Sequence, residues 1–258
     1  MKKIHLKQIN HNAKIGQNCN FIEPNIIEDS IFYYDDEPIG FYLSKIEGKL
    51  QQLVEIANKE LLSDRVPKSE MRRSSGLHGN GEDVRQYSTI IGSCPPKPHM
   101  RRPYPSISSV HSVKTAQTFI KAMVMACCEA EKLILDIIPN QYNRQLKELE
   151  KVPEQWRLGK LFTSSISNFN IPAPYHQDHA NIKNTVNVII TKRKNSKGGC
   201  LNVPDYGATI DQADNSLLVY PAWRNMHGVT PIIPTHDGGY RNSLVFYPLK
   251  AFQENTDN

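Results

Sequence analysis

Two textures meet near residue 158. In the first, apolar positions recur at mostly helical spacing. Phe41, Leu43, Ile46, Leu50, Leu53, Val54, Ile56, Ala57, Leu61 and Leu62 predict a helix over Phe41 to Leu62, stopped by Ser63-Asp64. Lys114 to Ile138 predicts a second helix, ended by Pro139, and Gln141 to Lys151 a third, ended before Pro153. Residues 1–39 are polar and broken by Asn and Pro, and read as loops and short strands. Residues 63–113 lack periodicity and are rich in Pro, Gly, Ser and Arg. A loop of that length inside a compact domain tends to be functional.

After Leu158, short β-rich segments alternate with turn clusters. They are Lys160–Asn168, Thr185–Thr191, Cys200–Val203, Ser216–Ala222, Met226–Ile232 and Tyr240–Tyr247, separated by Pro172, Gly198-Gly199, Pro204, Gly207, Asn215 and Gly238-Gly239. This spacing suggests an antiparallel sandwich or barrel. Helices first and strands second predict an α+β chain whose helices buttress one face of a sheet. No flexible linker interrupts the passage near 158. The expectation is one domain over 1–258, with a helical and loop-rich support at 1–158 and a β-rich core at 159–252.

Composition narrows the class. The chain has 258 residues, 39% hydrophobic and 22% charged. That fits a globular protein and excludes a collagen-like fibre or a coiled coil. Five cysteines without a CxxC pair argue against a disulfide framework and a zinc finger. The N-terminus has two lysines but no apolar stretch behind them, and no run reaches the length of a membrane span. A reducing, intracellular setting, cytoplasmic or nuclear, is expected.

Chemistry enters with three linked motifs in the β-rich half. His176-Gln177-Asp178 supplies an imidazole and a carboxylate from one extended segment, where residues i and i+2 share a face. His227, between two strand-like runs, supplies a second imidazole. Two histidines and one carboxylate on one side of a metal suit non-haem Fe(II), leaving open positions. Arg241-Asn242-Ser243 then places Arg241 and Ser243 on one face of an alternating strand. A planar guanidinium matches a carboxylate bidentately, as 2-oxoglutarate would require. Their order and strand context point to an Fe(II)/2-oxoglutarate oxygenase on a double-stranded β-helix, or jelly roll.

The surrounding residues allow a narrower statement. His176-Gln177-Asp178-His179-Ala180-Asn181, followed by Thr185-Val186-Asn187-Val188-Ile189-Ile190-Thr191, resembles the metal strand of the TET/JBP nucleic-acid methyl hydroxylases. Ser216-Leu217-Leu218-Val219 leading to Ala222, Arg224, His227 and Thr230-Pro231 is similar to the family's distal-histidine segment. Tyr240 to Lys250 looks like its C-terminal Arg-x-Ser strand. The resemblance covers about residues 160–252, and residues 1–158 show none. It implies oxidation of the 5-methyl group of a pyrimidine in DNA, methylcytosine or thymine, with O2 as a further co-substrate. It assigns His176, Asp178 and His227 to Fe(II), and Arg241 with Ser243 to 2-oxoglutarate. Asn181 matches a base-bonding position and Tyr247 an aromatic that packs on the base. Leu249 stands where the animal enzymes place a base-reading histidine, which leaves the choice of base open.

Charge placement fits a polyanion. The net charge of +5 is the residue of two basic segments. Residues 65–103 carry Arg65, Lys68, Arg72, Arg73, Arg85, Lys97, Arg101 and Arg102. Residues 183–197 carry Lys183, Lys192, Arg193, Lys194 and Lys197 without an acid, on a predicted hairpin tip. Lys192, Arg193, Lys194, Arg72, Arg73, Arg101 and Arg102 are the candidates for gripping phosphates around a flipped nucleotide. Two other readings stay open from the residues: the same chemistry on a protein side chain or small metabolite, and a non-catalytic nucleic-acid-binding module.

Overall fold

The computed structural model describes residues 1–70 and 85–253. Three strands open the chain, β1 (Lys2–His5), β2 (Ser30–Tyr34) and β3 (Glu37–Leu43), followed by helix α1 (Gly48–Leu62). A short β4 (Ser69–Glu70) precedes β5 (Tyr87–Cys94) and β6 (Ser106–Ile107). Helices α2 (Gln117–Ile137) and α3 (Pro139–Glu150) come next. The remainder is strand: β7 (Ser164–Phe169), β8 (Ala173–His176), β9 (Asn187–Lys194), β10 (Ser196–Gly198), β11 (Leu201–Val203), β12 (Ala208–Ile210), β13 (Ser216–Tyr220), β14 (His227–Val229), β15 (Ile232–Pro234) and β16 (Tyr240–Tyr247).

A large sheet runs β1-β2-β3-β13-β9-β16-β7-β5-β4, with β6 on β5. All its pairings are antiparallel except β1 on β2. A smaller antiparallel sheet runs β12-β11-β14-β8. The expected α+β jelly-roll architecture is what the chain forms.

Strand periodicity assigns the two faces of the large sheet. On β9 and β16, Val188, Ile190, Leu244 and Phe246 join the buried cluster under α1 and α2, with Leu53, Ala57, Phe119 and Met123. The alternate residues Asn187, Ile189, Arg241, Ser243, Val245 and Tyr247 line a cavity on the opposite face. Period-2 alternation thus puts helix packing on one face and polar chemistry on the other.

Several sequence expectations are corrected here. Helix α1 begins at Gly48, not Phe41, because Phe41 and Leu43 belong to β3. Phe41 and Tyr42 are both fully buried, on opposite faces of an inner strand. An apolar run buried on both faces has no period to separate it from a helix. Gly40 is required there: a Cβ would lie 2.3 Å from the Val219 carbonyl oxygen on the neighbouring β13. The expected loop over 63–113 contains β5, a strand of eight residues paired along β7. Tyr87 of β5 stacks on Phe169 of β7, with ring centroids 4.4 Å apart. So the part before residue 158 is more than a support, since β1, β2, β3 and β5 extend the same sheet. Pro139 starts α3 as well as ending α2; a proline lacks only an N–H that a first turn leaves unpaired anyway.

One buried side chain ties the helices to the strand that feeds the cavity. Gln145 of α3 is fully buried. Its Nε2 donates to the carbonyls of Leu161 (2.7 Å) and Val186 (3.2 Å), and its Oε1 accepts the Val186 N–H (2.8 Å). Val186 immediately precedes β9. Gln145→Leu would strand one N–H and two carbonyls without water. The expected outcome is a loss of about 2–4 kcal/mol in denaturant unfolding. An unchanged midpoint would show that this tie carries no stability.

Candidate active site

The proposed ligands come from the small sheet. β8 ends on His176, β14 begins on His227, and their antiparallel register sets the two residues opposite each other. The imidazole centroids are 4.4 Å apart. Asp178 lies beyond β8 rather than on it, so the shared strand face expected for His176 and Asp178 is not how they converge. Instead, the Asp178 N–H donates to the Ala222 carbonyl (3.1 Å), turning the carboxylate inward. Its Oδ1 lies 3.5 Å from His176 Nε2. One ligand atom from each of His176, Asp178 and His227 falls within 4.8 Å of the others.

The backbone also sets the histidine tautomers. His176 Nδ1 sits 2.7 Å from the Pro174 carbonyl and His227 Nδ1 3.0 Å from the Asn225 carbonyl. A carbonyl only accepts, so each Nδ1 carries the proton and each Nε2 offers a lone pair to a metal. Burial, and next the neighbouring His176, push His227 below the usual imidazole range, which keeps it neutral. Tyr220 packs edge-on against His227 at 6.4 Å between ring centroids and also lines the cavity.

Across the cavity, Arg241 is 3% exposed. Its Nη2 donates to Gln212 Oε1 (3.3 Å), and its Nε has no partner among the described residues. No carboxylate of the described residues forms an ion pair with it. Arg193 stands opposite on β9 and takes the nearby Asp211 at 3.9 Å and the Gly198 carbonyl. Burial and then Arg193 pull Arg241 down to about 9, so it stays charged at neutral pH. A buried charge without a counter-ion costs several kcal/mol, on the order of 3–5. A ligand carboxylate in the cavity would offset that cost. Gly199 makes room for the guanidinium stem: with φ at +66°, its Cβ would lie 2.7 Å from Arg241 Cδ. Arg241, Ser243 and the three candidate ligands line one cavity of about 360 Å³.

Asn181, Tyr247 and Leu249 line the same cavity. Asn181 is held by a backbone bridge to Leu249. Its Nδ2 donates to Asn187 Oδ1 (2.8 Å), and Asn187 Nδ2 donates to Asp178 Oδ2 (3.1 Å). Asn187, Gln212, Gly199 and Tyr220 are site residues that the sequence reading did not single out. Asn187 left a trace there, as the polar break in the apolar run Val186 to Ile190.

The basic candidates separate. Lys192 is 5% exposed and bound to Glu55 (2.8 Å) and Asp214 (3.0 Å), so it is a strut between α1 and the sheet rather than a free cation. Arg193 is likewise turned inward, beside Arg241. Both sit on a central strand, which the expected hairpin tip does not reach. Lys194, at the end of β9, is exposed, as are Lys183 and Lys197, but the expected hairpin does not form, since β9 pairs with β13 and β16 and β10 with β15. Arg101 and Arg102 are exposed in a small turn closed by a Lys97–Arg102 bridge. Arg72 and Arg73 lie outside the described residues.

Residues 98–250 match the Tet_JBP family profile, described as the oxygenase domain of the 2OGFeDO superfamily. The match begins well before the region the motifs covered. No curated protein sequence matches significantly. Among solved structures, one described as NgTET1 in complex with 5mC DNA superposes with a TM-score of 0.63 at 15% identity, covering 94% of this chain and 84% of its own. OsALKBH1 gives 0.42 at 13% identity over 82% of this chain and 97% of its own. A 2OG-Fe(II) oxygenase family protein from Burkholderia pseudomallei gives 0.43 at 13% identity, over 82% and 95%. Among the described residues, no helix is long and apolar enough to cross a membrane. With a profile match over more than half its length and a jelly-roll fold, the chain belongs to the Tet/JBP oxygenase family of the 2OGFeDO superfamily.

Proposed function

We propose that this oxygenase hydroxylates the 5-methyl group of a pyrimidine in DNA, using Fe(II), 2-oxoglutarate and O2, on a nucleotide flipped out of the helix. Membership of the superfamily implies those three co-reactants. His176, Asp178 and His227 hold the Fe(II), and Arg241 with Ser243 holds the distal carboxylate of 2-oxoglutarate. The buried, carboxylate-free guanidinium of Arg241 in the same cavity as the triad supports this fit. Bound there, the metal and its co-substrates supply C–H hydroxylation coupled to oxidative decarboxylation.

The chain's own part is positioning and exclusion of water. Pro174 and Asn225 fix the imidazoles, and Ala222 and Asn187 fix the carboxylate. Ile166, Ile189, Leu201 and Val229 give the cavity apolar walls. A duplex methyl group cannot reach a buried centre, so the base must leave the stack. The observation that carries the DNA reading is that the cavity of the triad is also lined by an aromatic, an amide and an apolar wall in Tyr247, Asn181 and Leu249, while Arg101 and Arg102 are exposed cations. A planar base needs a ring face to pack on and an edge partner, and its phosphates need cations. The fold likeness to a TET protein held with 5mC DNA agrees with that arrangement.

Nucleoside mass spectrometry of methylated DNA treated with protein, Fe(II) and 2-oxoglutarate is expected to show hydroxymethylpyrimidine. His176→Ala and Asp178→Ala are expected to abolish it. Succinate formation without any modified nucleoside would reject DNA as the substrate. Gly199→Ala is expected to raise the KM for 2-oxoglutarate by about tenfold or more, because the new Cβ displaces Arg241. An unchanged KM would reject Arg241 as the carboxylate partner. Arg101→Ala with Arg102→Ala is expected to weaken DNA binding by a similar factor whatever the sequence, and to flatten its salt dependence. Unchanged affinity would remove this turn from the interface.

A further inference from the structure

We infer that His11 and Asp205 are positioning residues for His227, and that the N-terminal segment from Ile9 to Cys19 thereby belongs to the metal centre. This rests on the proposed reading of His176, Asp178 and His227 as the ligands of a divalent metal.

A chain of hydrogen bonds leads from the surface to His227. The His227 Nδ1–H donates to the Asn225 carbonyl at 3.0 Å, so the aim of Nε2 depends on where that carbonyl is held. Asn225 is buried, and both ends of its side chain are taken. Its Oδ1 accepts from the Tyr206 hydroxyl (2.8 Å), and its Nδ2 donates to Asp205 Oδ2 (2.6 Å). The other carboxylate oxygen of Asp205 lies 2.7 Å from His11 Nε2. A carboxylate only accepts, so His11 donates there and Asn225 presents its NH2. The Ile9 N–H donates to the Asp205 backbone carbonyl (2.8 Å). The N-terminal segment therefore grips Asp205 at backbone and side chain, and Asp205 passes that hold to Asn225. His11 and Asp205 are 194 residues apart in sequence, so this is a tertiary tie and no part of a local turn.

The same segment reaches the strand of the other histidine. β8 is an edge of the small sheet. On its outer side the Gly16 N–H donates to the Tyr175 carbonyl (2.7 Å), and the Tyr175 N–H donates to the Gln17 carbonyl (2.9 Å). Tyr175 directly precedes His176. Gln17 steadies its own turn, its Oε1 accepting the Lys14 N–H (3.1 Å). Cys19 is buried against Gly228, the residue after His227. A Cβ at Gly228 would lie 3.0 Å from Tyr175 Cδ1 and 3.2 Å from Cys19 Cβ. Between the buried Leu6 and Cys19, every residue except Ala13 is exposed. A stretch that buries so little apolar surface adds little to the core. Its specific contacts gather instead on the supports of the two histidines.

Anaerobic calorimetry of Co(II) into the whole protein reads the metal site without turnover, and the visible absorption of bound Co(II) reports its ligand geometry. The wild type is expected to bind one Co(II), and His176→Ala to abolish that binding. Asp205→Ala is expected to weaken binding by about tenfold or more, as when a partner behind a metal-bound histidine is disturbed, and to change the spectrum. His11→Ala is expected to weaken it by about three- to fivefold. Asp205→Asn keeps an oxygen for the Asn225 NH2 and is expected to stay within about twofold of the wild type. A merely structural role would lower the melting temperature and leave the Co(II) affinity and spectrum of the folded protein unchanged. Should Asp205→Ala fail to fold, His11→Ala gives the same readout. Wild-type affinity and spectrum in Asp205→Ala or His11→Ala would overturn the inference alone, as would a loss in Asp205→Asn as large as that in Asp205→Ala. No Co(II) bound by the wild type, or binding untouched by His176→Ala, would overturn the reading of the triad, and this inference with it.

Discussion

The pairing of β14 on β8 is the constraint on which the rest of the site depends. It sets His227 directly opposite His176 and brings two imidazoles to 4.4 Å between centroids. A strand pair fixes such a distance without help from long side chains, and a slip of one residue would turn one imidazole away. Asp178 is added by its backbone hydrogen bond to Ala222 and by Asn187 on its carboxylate, and the two Nδ1 protons are held by carbonyls. The placement of the two imidazoles is thus a property of the backbone, and that of the carboxylate is shared with the Asn187 side chain.

The opposite wall follows a different logic. Arg241 is kept charged and unneutralised inside the fold, beside a second arginine. That is an expensive arrangement for a structural residue and a sensible one for a carboxylate site. Among the described residues, Asp211 goes to Arg193 and Arg241 is left with the neutral Gln212. Gly199 gives the side chain the space to lie there.

The chemistry-bearing strands were legible in the sequence because they are two-faced. In Tyr240–Tyr247 the alternation that placed Arg241 and Ser243 on one face is the alternation the sheet uses, and the strand ends match. Order and spacing named three candidate ligands that the fold brings together, although Asp178 reaches its place by a turn rather than a strand. What could not be read was long-range. β3 is buried on both faces and so looks like the start of a helix. β5 is hidden in a stretch whose Pro, Gly and Arg content suggests a loop. Lys192 and Arg193 look like hairpin lysines and arginines until β16 and β13 close over their strand. Asn187 shows only as a polar break in an apolar run; its meaning appears when Asp178 and Asn181 are folded against it.

The account makes one site of two walls, a metal face and a guanidinium, that share one small ligand. Anaerobic calorimetry of 2-oxoglutarate into the protein, with and without Fe(II), tests that claim most directly. The account predicts one binding site per chain whose affinity rises sharply when Fe(II) is present. Absence of binding under both conditions, or binding indifferent to Fe(II), would contradict it.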